Sequence, residues 1–464
     1  MLLISCLVYA LVAALAAAAS NGHRSQSHLG RRLLPQPKQK NGASFAFPTK
    51  DPFYRVPADV GKYPLGAILG TRQGNADAFG QFAAEAHQIL YLTTDYTGAP
   101  DATVATIVIP IAPRPGKPKA LAIGSAVGSA SIDCSPSFAY ANPDKSKNLP
   151  LVNIVDSPAS TAALFRGWYV VIPDALGSKS SFLNGLTEGR AMLDGIRASR
   201  NFAAPLKNAD FAMMGYSGGG HTVGWAAQEA ASYYPDSPII GMVTGGMPAD
   251  TNNTFYTLNG GEYSALGFQG AAAMGHARPD VQAVFDQHIT HAGRANFTKM
   301  LSGEWCLIQS SRNLSGVPVQ TAFTGGDIFQ NPVVAKHMEE EKLGKRVNRI
   351  SSIYYHARND QIVPWPQMVH YINQQCEQEG ARLQLSWATA TGHILSGLRF
   401  MPAMLNSLVQ VLEQGYKVKT CGIDAQSIPP VPEGGPGLTD LIGHGAANSI
   451  AYWRAQAKNG LFPL

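Results

Sequence analysis

The feature that most restricts this chain is a six-residue run, Gly215-Tyr216-Ser217-Gly218-Gly219-Gly220. It lies between a β-like apolar run at Phe211–Met214 and a helical pattern at His221–Tyr234. A serine on so tight a strand-to-helix turn has a strained backbone, and its hydroxyl projects beyond the carboxyl end of the strand. Side chains two positions to either side would collide, which explains glycine at 215 and 219. The Gly218 amide, first in the helix, can donate to an oxyanion formed beside Ser217. The spacing G-x-S-x-G alone recurs in unrelated loops; between strand and helix it reads as a nucleophile turn.

A serine hydroxyl is a weak nucleophile, so the turn needs a histidine base and a carboxylate to orient it. On this turn the three follow in the order serine, acid, histidine, with the last two on loops after late strands. The run Ile350–Tyr355 leads into His356-Ala357-Arg358-Asn359-Asp360, which puts Asp360 at the carboxyl end of a strand. Leu383–Trp387 leads to Thr391-Gly392-His393, ahead of a helix expected around Pro402–Glu413. Asp360 and His393 are therefore the expected acid and base. The plainer alternatives are a helix-capping Asp360 and a solvated loop His393. Asp327 is the reserve acid and His444 the reserve base. His288 and His291 share a helical face without further ligands, so no metal site is expected.

Around this constellation, short apolar runs at Ala120–Ile123, Tyr169–Ile172 and Ile239–Thr244 alternate with helical stretches at Leu186–Asn201 and Pro366–Glu379. Such alternation is that of an α/β fold with a mostly parallel sheet covered on both faces. His87–Tyr96 and Ala102–Pro110 flank Thr97-Gly98-Ala99-Pro100 as a hairpin. Two regions depart from the pattern. Ala249–Lys342 shows helical periodicity only, as in Tyr263–Met274 and Pro279–Met300, and is expected to be an inserted helical cap. Beyond Cys421 a Pro- and Gly-rich stretch, Pro429 to Gly437, opens a tail that is either a flap over the site or a wrapped terminus.

The ends of the chain bear on compartment. Leu2–Ala19 is apolar and ends in alanine-rich A-x-A sites, the form of a secretory signal peptide, and residues 20–46 read as a propeptide. The formal charge of the 464 residues is +5, but residues 1–40 hold five basic residues and no acidic one. Without that stretch the balance is zero, so no nucleic-acid partner is expected. A membrane anchor is the alternative reading of Leu2–Ala19, but no second stretch is apolar enough to span a bilayer, and no stable anchor is expected. Cys6 falls within the leader; Cys134, Cys306, Cys376 and Cys421 remain, an even number suited to two disulfides whose pairing spacing leaves open. Asn252, Asn296 and Asn313 begin glycosylation triplets.

Several ordered stretches carry a family likeness: Asp51-Pro52-Phe53-Tyr54, Ile132-Asp133-Cys134-Ser135-Pro136-Ser137, Glu188-Gly189 and Leu193-Asp194-Gly195-Ile196-Arg197. It continues with the Ser217 turn, Leu258-Asn259-Gly260-Gly261, Trp305-Cys306-Leu307, and Asp360 with Ile362-Val363-Pro364. From about Asp51 to Cys421 the chain resembles the fungal secretory lipases of the Candida antarctica lipase A type. The resemblance implies an α/β-hydrolase fold over residues 47–464, with an inserted helical lid and a C-terminal flap. It implies hydrolysis of esters, chiefly triacylglycerols at an oil–water interface, by a secreted monomer without metal or organic cofactor. The family's nucleophile, acid and base fall on Ser217, Asp360 and His393, and its disulfides on Cys134–Cys306 and Cys376–Cys421. One position departs: counted back from Cys134, the family's acidic oxyanion-hole residue falls on Gly128. If the family residue acts through its side chain, this chain has lost that contribution; if through its amide, glycine keeps the donor. An oxyanion repels a carboxylate, so the amides of Gly218 and Gly128 are the expected oxyanion hole. The serious alternative is a carboxylesterase for short, soluble esters. A prolyl-oligopeptidase-type peptidase lacks room for its propeller before the turn, and a non-catalytic relative would be expected to lack a triad member.

Overall fold

The structure, a computed structural model, describes residues 45–389, 392–425 and 438–458. The expected signal peptide, nearly all of the propeptide and the Pro- and Gly-rich run lie outside the described residues.

The strands are β1 (Ile68–Gln73), β2 (Ala83–Thr94), β3 (Pro100–Pro110), β4 (Lys119–Gly124) and β5 (Tyr169–Pro173). They continue with β6 (Asp210–Tyr216), β7 (Ile239–Gly245), β8 (Ser352–Ala357), β9 (Leu383–Ala388) and β10 (Gly422–Ile423). Among the described residues these ten form one sheet in the order β1-β2-β3-β5-β4-β6-β7-β8-β9-β10. The β1, β2 and β3 strands are an antiparallel meander, and β3 meets β5 antiparallel. From β5 onward every neighbouring pair is parallel.

The strands read as continuous apolar runs because both sheet faces are covered. Side chains alternate between faces with a period of two. Leu121, Ile123, Ala212 and Met214 join the core on one side, and Ala120, Ala122, Phe211 and Met213 join the core on the other. The first core is closed by α1 (Pro136–Ala141), α2 (Leu149–Phe165) and a late helix; the second by α3 (Gly185–Phe202) and α4 (Gly218–Tyr233). The sequence reading passed over α2. Its Pro158 lies inside the helix, where proline ordinarily signals a break.

Between β7 and β8 the chain makes six helices: α5 (Thr251–Leu258), α6 (Ser264–Ala277), α7 (Pro279–His288), α8 (His291–Leu301), α9 (Leu307–Leu314) and α10 (Pro332–Glu340). Phe255, Phe285, Phe297, Phe323 and Phe329 pack into an aromatic centre that α5, α7 and α8 share. A disulfide between Cys134 and Cys306 joins this insertion to the segment after β4, and a second links Cys376 to Cys421. The three glycosylation triplets all start on insertion helices. Asn313 is exposed and Asn296 half-buried, whereas Asn252 has its Oδ1 buried without a hydrogen-bond partner among the described residues.

After β8 come α11 (Trp365–Cys376), α12 (His393–Gln414) and α13 (Leu438–Lys458). The helix expected around Pro402–Glu413 in fact starts at His393, so this histidine is the first helical residue and not part of a preceding loop. Pro402 lies within α12 and cannot donate to the carbonyl of Leu398. Arg454 of α13 donates to that carbonyl instead, at 3.0 Å. The α13 helix packs on α2 and α12, so residues 438–458 wrap the body of the fold, and none of them lines the clefts described below.

Candidate active site

Ser217 joins β6 to α4 with φ 56° and ψ −123°, a strained backbone costing on the order of 1–3 kcal/mol. The surroundings force it. A Cβ on Gly215 would stand 2.2 Å from the carbonyl oxygen of Gly219, and one on Gly219 would stand 1.9 Å from that of Gly124. Two hydrogen bonds hold the turn, from Ser217 N to Gly245 O and from His221 N to Ser217 O, each 2.9 Å.

Asp360 follows β8 and is buried. Its Oδ1 accepts from the amides of Ile362 and Val363 at 2.9 and 2.8 Å. Its Oδ2 lies 2.6 Å from His393 Nδ1, and His393 Nε2 lies 2.8 Å from Ser217 Oγ. Burial opposes the charge on Asp360, yet His393, His356 and the Val363 amide together hold its pKa below the ordinary value. The carboxylate is thus ionised, and Nδ1–H of His393 donates to it.

Two groups that sequence reasoning missed fix the backbone of His393. Tyr216 Oη donates to its carbonyl at 2.6 Å, and Gln361 Oε1 accepts from its amide at 2.9 Å. The neighbours of Ser217 and Asp360 in sequence thus carry the residue to which both bond. His356 lies behind Asp360, with its Nε2 donating to Val363 O at 2.8 Å. Burial lowers its pKa, so it stays neutral. A further buried set braces α4. Trp225 Nε1 donates to His221 Nε2 at 3.0 Å, which leaves His221 Nδ1–H to donate to Glu188 at 2.9 Å. Glu188 also accepts from Thr222 Oγ1 and from the amide of Leu183. No signal in the sequence marks this set beyond the Glu188-Gly189 pair.

The other sequence candidates lie apart. Asp327 caps a 3₁₀ turn and accepts from Tyr256 Oη within the insertion. His444 is exposed on α13. His288 and His291 belong to no cluster of possible metal ligands among the described residues.

Two apolar clefts meet at Ser217 and Gly218, sharing Phe182, Leu266 and Ile362. One, with about 760 Å³ of empty space, runs into the insertion past Phe255, Leu258, Ala271, Met274 and Phe329. The other, about 630 Å³, runs beside Gly128, Leu151, Val155, Leu307 and Ile394. Glu341 borders the first cleft. It is buried, which raises its pKa, and it is held by Arg278 and by the amide of Gly185. Gly128 has φ +58°, and a Cβ there would lie 2.8 Å from Leu307 Cδ2. Any side chain at this position would press on the insertion, which is a physical reason for glycine where the resemblance expects an acid.

A family model described as secretory lipase matches residues 152–418. A secreted triacylglycerol lipase of Malassezia furfur is 32% identical over 328 residues, covering 68% of this chain and 65% of that one. A probable inactive lipase of Mycobacterium tuberculosis is 30% identical over 332 residues, covering 68% of this chain and 72% of its own. The crystal structure of Candida antarctica lipase A in its closed state superposes with a TM-score of 0.82 at 27% identity, covering 88% of this chain and 96% of that one.

Proposed function

The chain belongs to the secretory lipase family, and from that premise we propose that Ser217, His393 and Asp360 hydrolyse long-chain acylglycerols through an acyl-enzyme. It is a lipase that hydrolyses carboxylic esters, with an α/β-hydrolase fold. The observation that carries the proposal is the unbroken line of hydrogen bonds from Asp360 through His393 to the hydroxyl of Ser217.

His393 Nε2 takes the Ser217 proton as Oγ attacks the ester carbonyl, and Asp360 stabilises the imidazolium. The amides of Gly218 and Gly128 receive the oxyanion; each such donor is worth roughly 2.7–4 kcal/mol in a serine hydrolase. His393 then protonates the departing alcohol oxygen, and water attacks the acyl-enzyme with His393 again as base. The cleft within the insertion takes the acyl chain, and the cleft beside Gly128 takes the alcohol portion. An apolar channel of this kind favours long chains, since each buried methylene contributes about 0.8 kcal/mol. The insertion, from about residue 249 to 342, acts as a lid.

Among the described residues no helix is long and apolar enough to cross a membrane. We place the enzyme outside the cell, with glycans on Asn313 and Asn296, acting as a monomer at a lipid–water interface. A C2-to-C18 ester series, dissolved and emulsified, tests the reading with Ser217→Ala as control. Turnover should rise with chain length and emulsification and vanish in the variant. A preference for dissolved C2–C4 esters would instead mark a carboxylesterase.

A further inference from the structure

The loop leaving β4 is Gly124-Ser125-Ala126-Val127-Gly128, and beneath it lies a buried acid with no part in the hydrolytic relay. Asp156, in the middle of α2, has no solvent exposure. Its Oδ2 accepts from Ser125 Oγ and, at 3.4 Å, from Tyr140 Oη of α1. Its Oδ1 has no hydrogen-bond partner among the described residues. The residues just before it, Ile154 and Val155, wall the cleft beside Gly128. The helix that shapes the site therefore also ties down its loop. Ser125 directly follows Gly124, whose carbonyl abuts Gly219 of the nucleophile turn, so a displacement at Ser125 reaches both halves of the oxyanion hole.

We propose that Asp156 is a positioning residue: as a neutral acid bonded to Ser125, it fixes the loop whose Gly128 amide receives the oxyanion. This rests on the serine-hydrolase reading above. Neutrality follows from the surroundings. The groups facing the carboxyl are the Ser125 hydroxyl from the β4 loop and the Tyr140 hydroxyl from α1. The other elements packed on α2, namely β3, β4, β5, α12, α13 and the 3₁₀ turn Asp77–Phe79, place no charged group against it among the described residues, and the Asp77 side chain on that turn is exposed. Burial drives the Asp156 pKa from 3.8 to about 7 in spite of both hydrogen bonds. Burial and the adjacent Asp156 also push the Tyr140 hydroxyl well above its ordinary value, so it remains a donor. An ionised Asp156 would be an unpaired anion in a low-dielectric region next to an oxyanion forming in the transition state, and the two would repel. The site therefore works best below about pH 7 and slows as the proton leaves, because the anion repels the oxyanion even though it holds Ser125 more tightly.

The test compares wild type, Asp156→Asn and Ser125→Ala in kcat and KM for one soluble ester from pH 5 to 9. Asp156→Asn, a neutral isostere, should hold kcat within about threefold of wild type at pH 6 and overtake it above pH 7. Ser125→Ala, which cuts the strut from its other end, should lower kcat about tenfold while KM moves less than about twofold. In a Ser217→Ala background, Asp156→Asn should raise the thermal midpoint more at pH 8 than at pH 5. That readout needs no turnover, so an inactive wild type would refute the hydrolase reading without touching the buried acid. Identical pH profiles for wild type and Asp156→Asn, or a wild-type kcat in Ser125→Ala, would overturn the proposal.

Discussion

The sheet and the helical insertion approach Ser217 from opposite sides and hold their residues by different means. On the sheet side, backbone positions Ser217 and Asp360. Gly215, Gly219 and Gly124 leave space only for one turn, and two main-chain amides hold Asp360. On the insertion side, contacts to the segment that follows β4 come from side chains. Ser129 Oγ accepts from the amide of Leu307, Gln269 Oε1 accepts from the amide of Ala130, and Cys134 is bonded to Cys306. Buried acids do not divide so cleanly, since Asp194 and Glu229 on the sheet side are paired with Arg197 and Arg346. Asp156 and Asp174 in the core are held by hydroxyls and amides, whereas Glu341 at the insertion is paired with Arg278. Backbone geometry leaves local marks in a sequence, and side-chain bridges across more than a hundred residues do not.

The comparison breaks first at the triad. Asp360→Asn should keep the fold but leave His393 in the wrong tautomer, lowering kcat by roughly 10⁴. Stopped assays on purified, folded variant measure this directly, and a loss under about tenfold would place the acid elsewhere.

On the insertion side the largest effect should come from Arg278→Met, which strands the Glu341 carboxyl in its buried place. Breaking one partner of such a pair costs about 3–5 kcal/mol. Arg278 also contacts His337 and stacks on Tyr96 at the tip of the β2–β3 hairpin, so urea unfolding should show the insertion loosening before the sheet. A single unchanged transition would count against the separation drawn between the two regions.

The nucleophile turn, its partners and the alternating strands were legible because each follows from local pattern. Ser217 is marked by glycines, and Asp360 and His393 by their places after late strands. The α2 helix was not legible, since Pro158 masks it, and neither was the true start of α12. Helix α12 continues through Pro402 because Arg454, more than fifty positions away in sequence, satisfies the Leu398 carbonyl. Asp156 and Glu188 were hidden for the same reason: their partners come from other elements. The two apolar clefts likewise exist only once α5, α6, α9 and α10 have packed beside the sheet.

The disulfides sharpen the contrast. Removing either pair by double Cys→Ser substitution should cost about 2–5 kcal/mol. The Cys134–Cys306 variant should also lose kcat, about tenfold, because Cys134 ends the segment that carries Gly128, the proposed second oxyanion donor. The Cys376–Cys421 variant should keep kcat within about twofold, since that bridge ties α11 to β10 behind the site. Equal losses in both would mean that the Cys134–Cys306 bridge only stabilises.

The smallest expected effect concerns pH. Burial raises the Asp174 pKa to about 7 against its Ser137 and Ser135 hydrogen bonds. The folded chain thus keeps a proton that the unfolded chain releases, and stability falls as pH rises from about 4 to 7 before levelling off. Asp174→Asn removes that contribution, so the variant should gain on wild type by on the order of 1–3 kcal/mol between pH 5 and pH 8. Calorimetry at the two pH values reads the difference, and a constant offset would show that Asp174 is already ionised at pH 5.

The central claim is that Ser217 is the nucleophile and that the Asp360–His393 pair activates it. It is tested most directly by trapping the enzyme with a long-chain alkyl phosphonate ester and locating the adduct by peptide mass spectrometry. One adduct should form, on Ser217, and labelling should slow at least about 10³-fold in His393→Ala. An adduct on a different residue, or undiminished labelling of Ser217 in His393→Ala, would contradict the assignment.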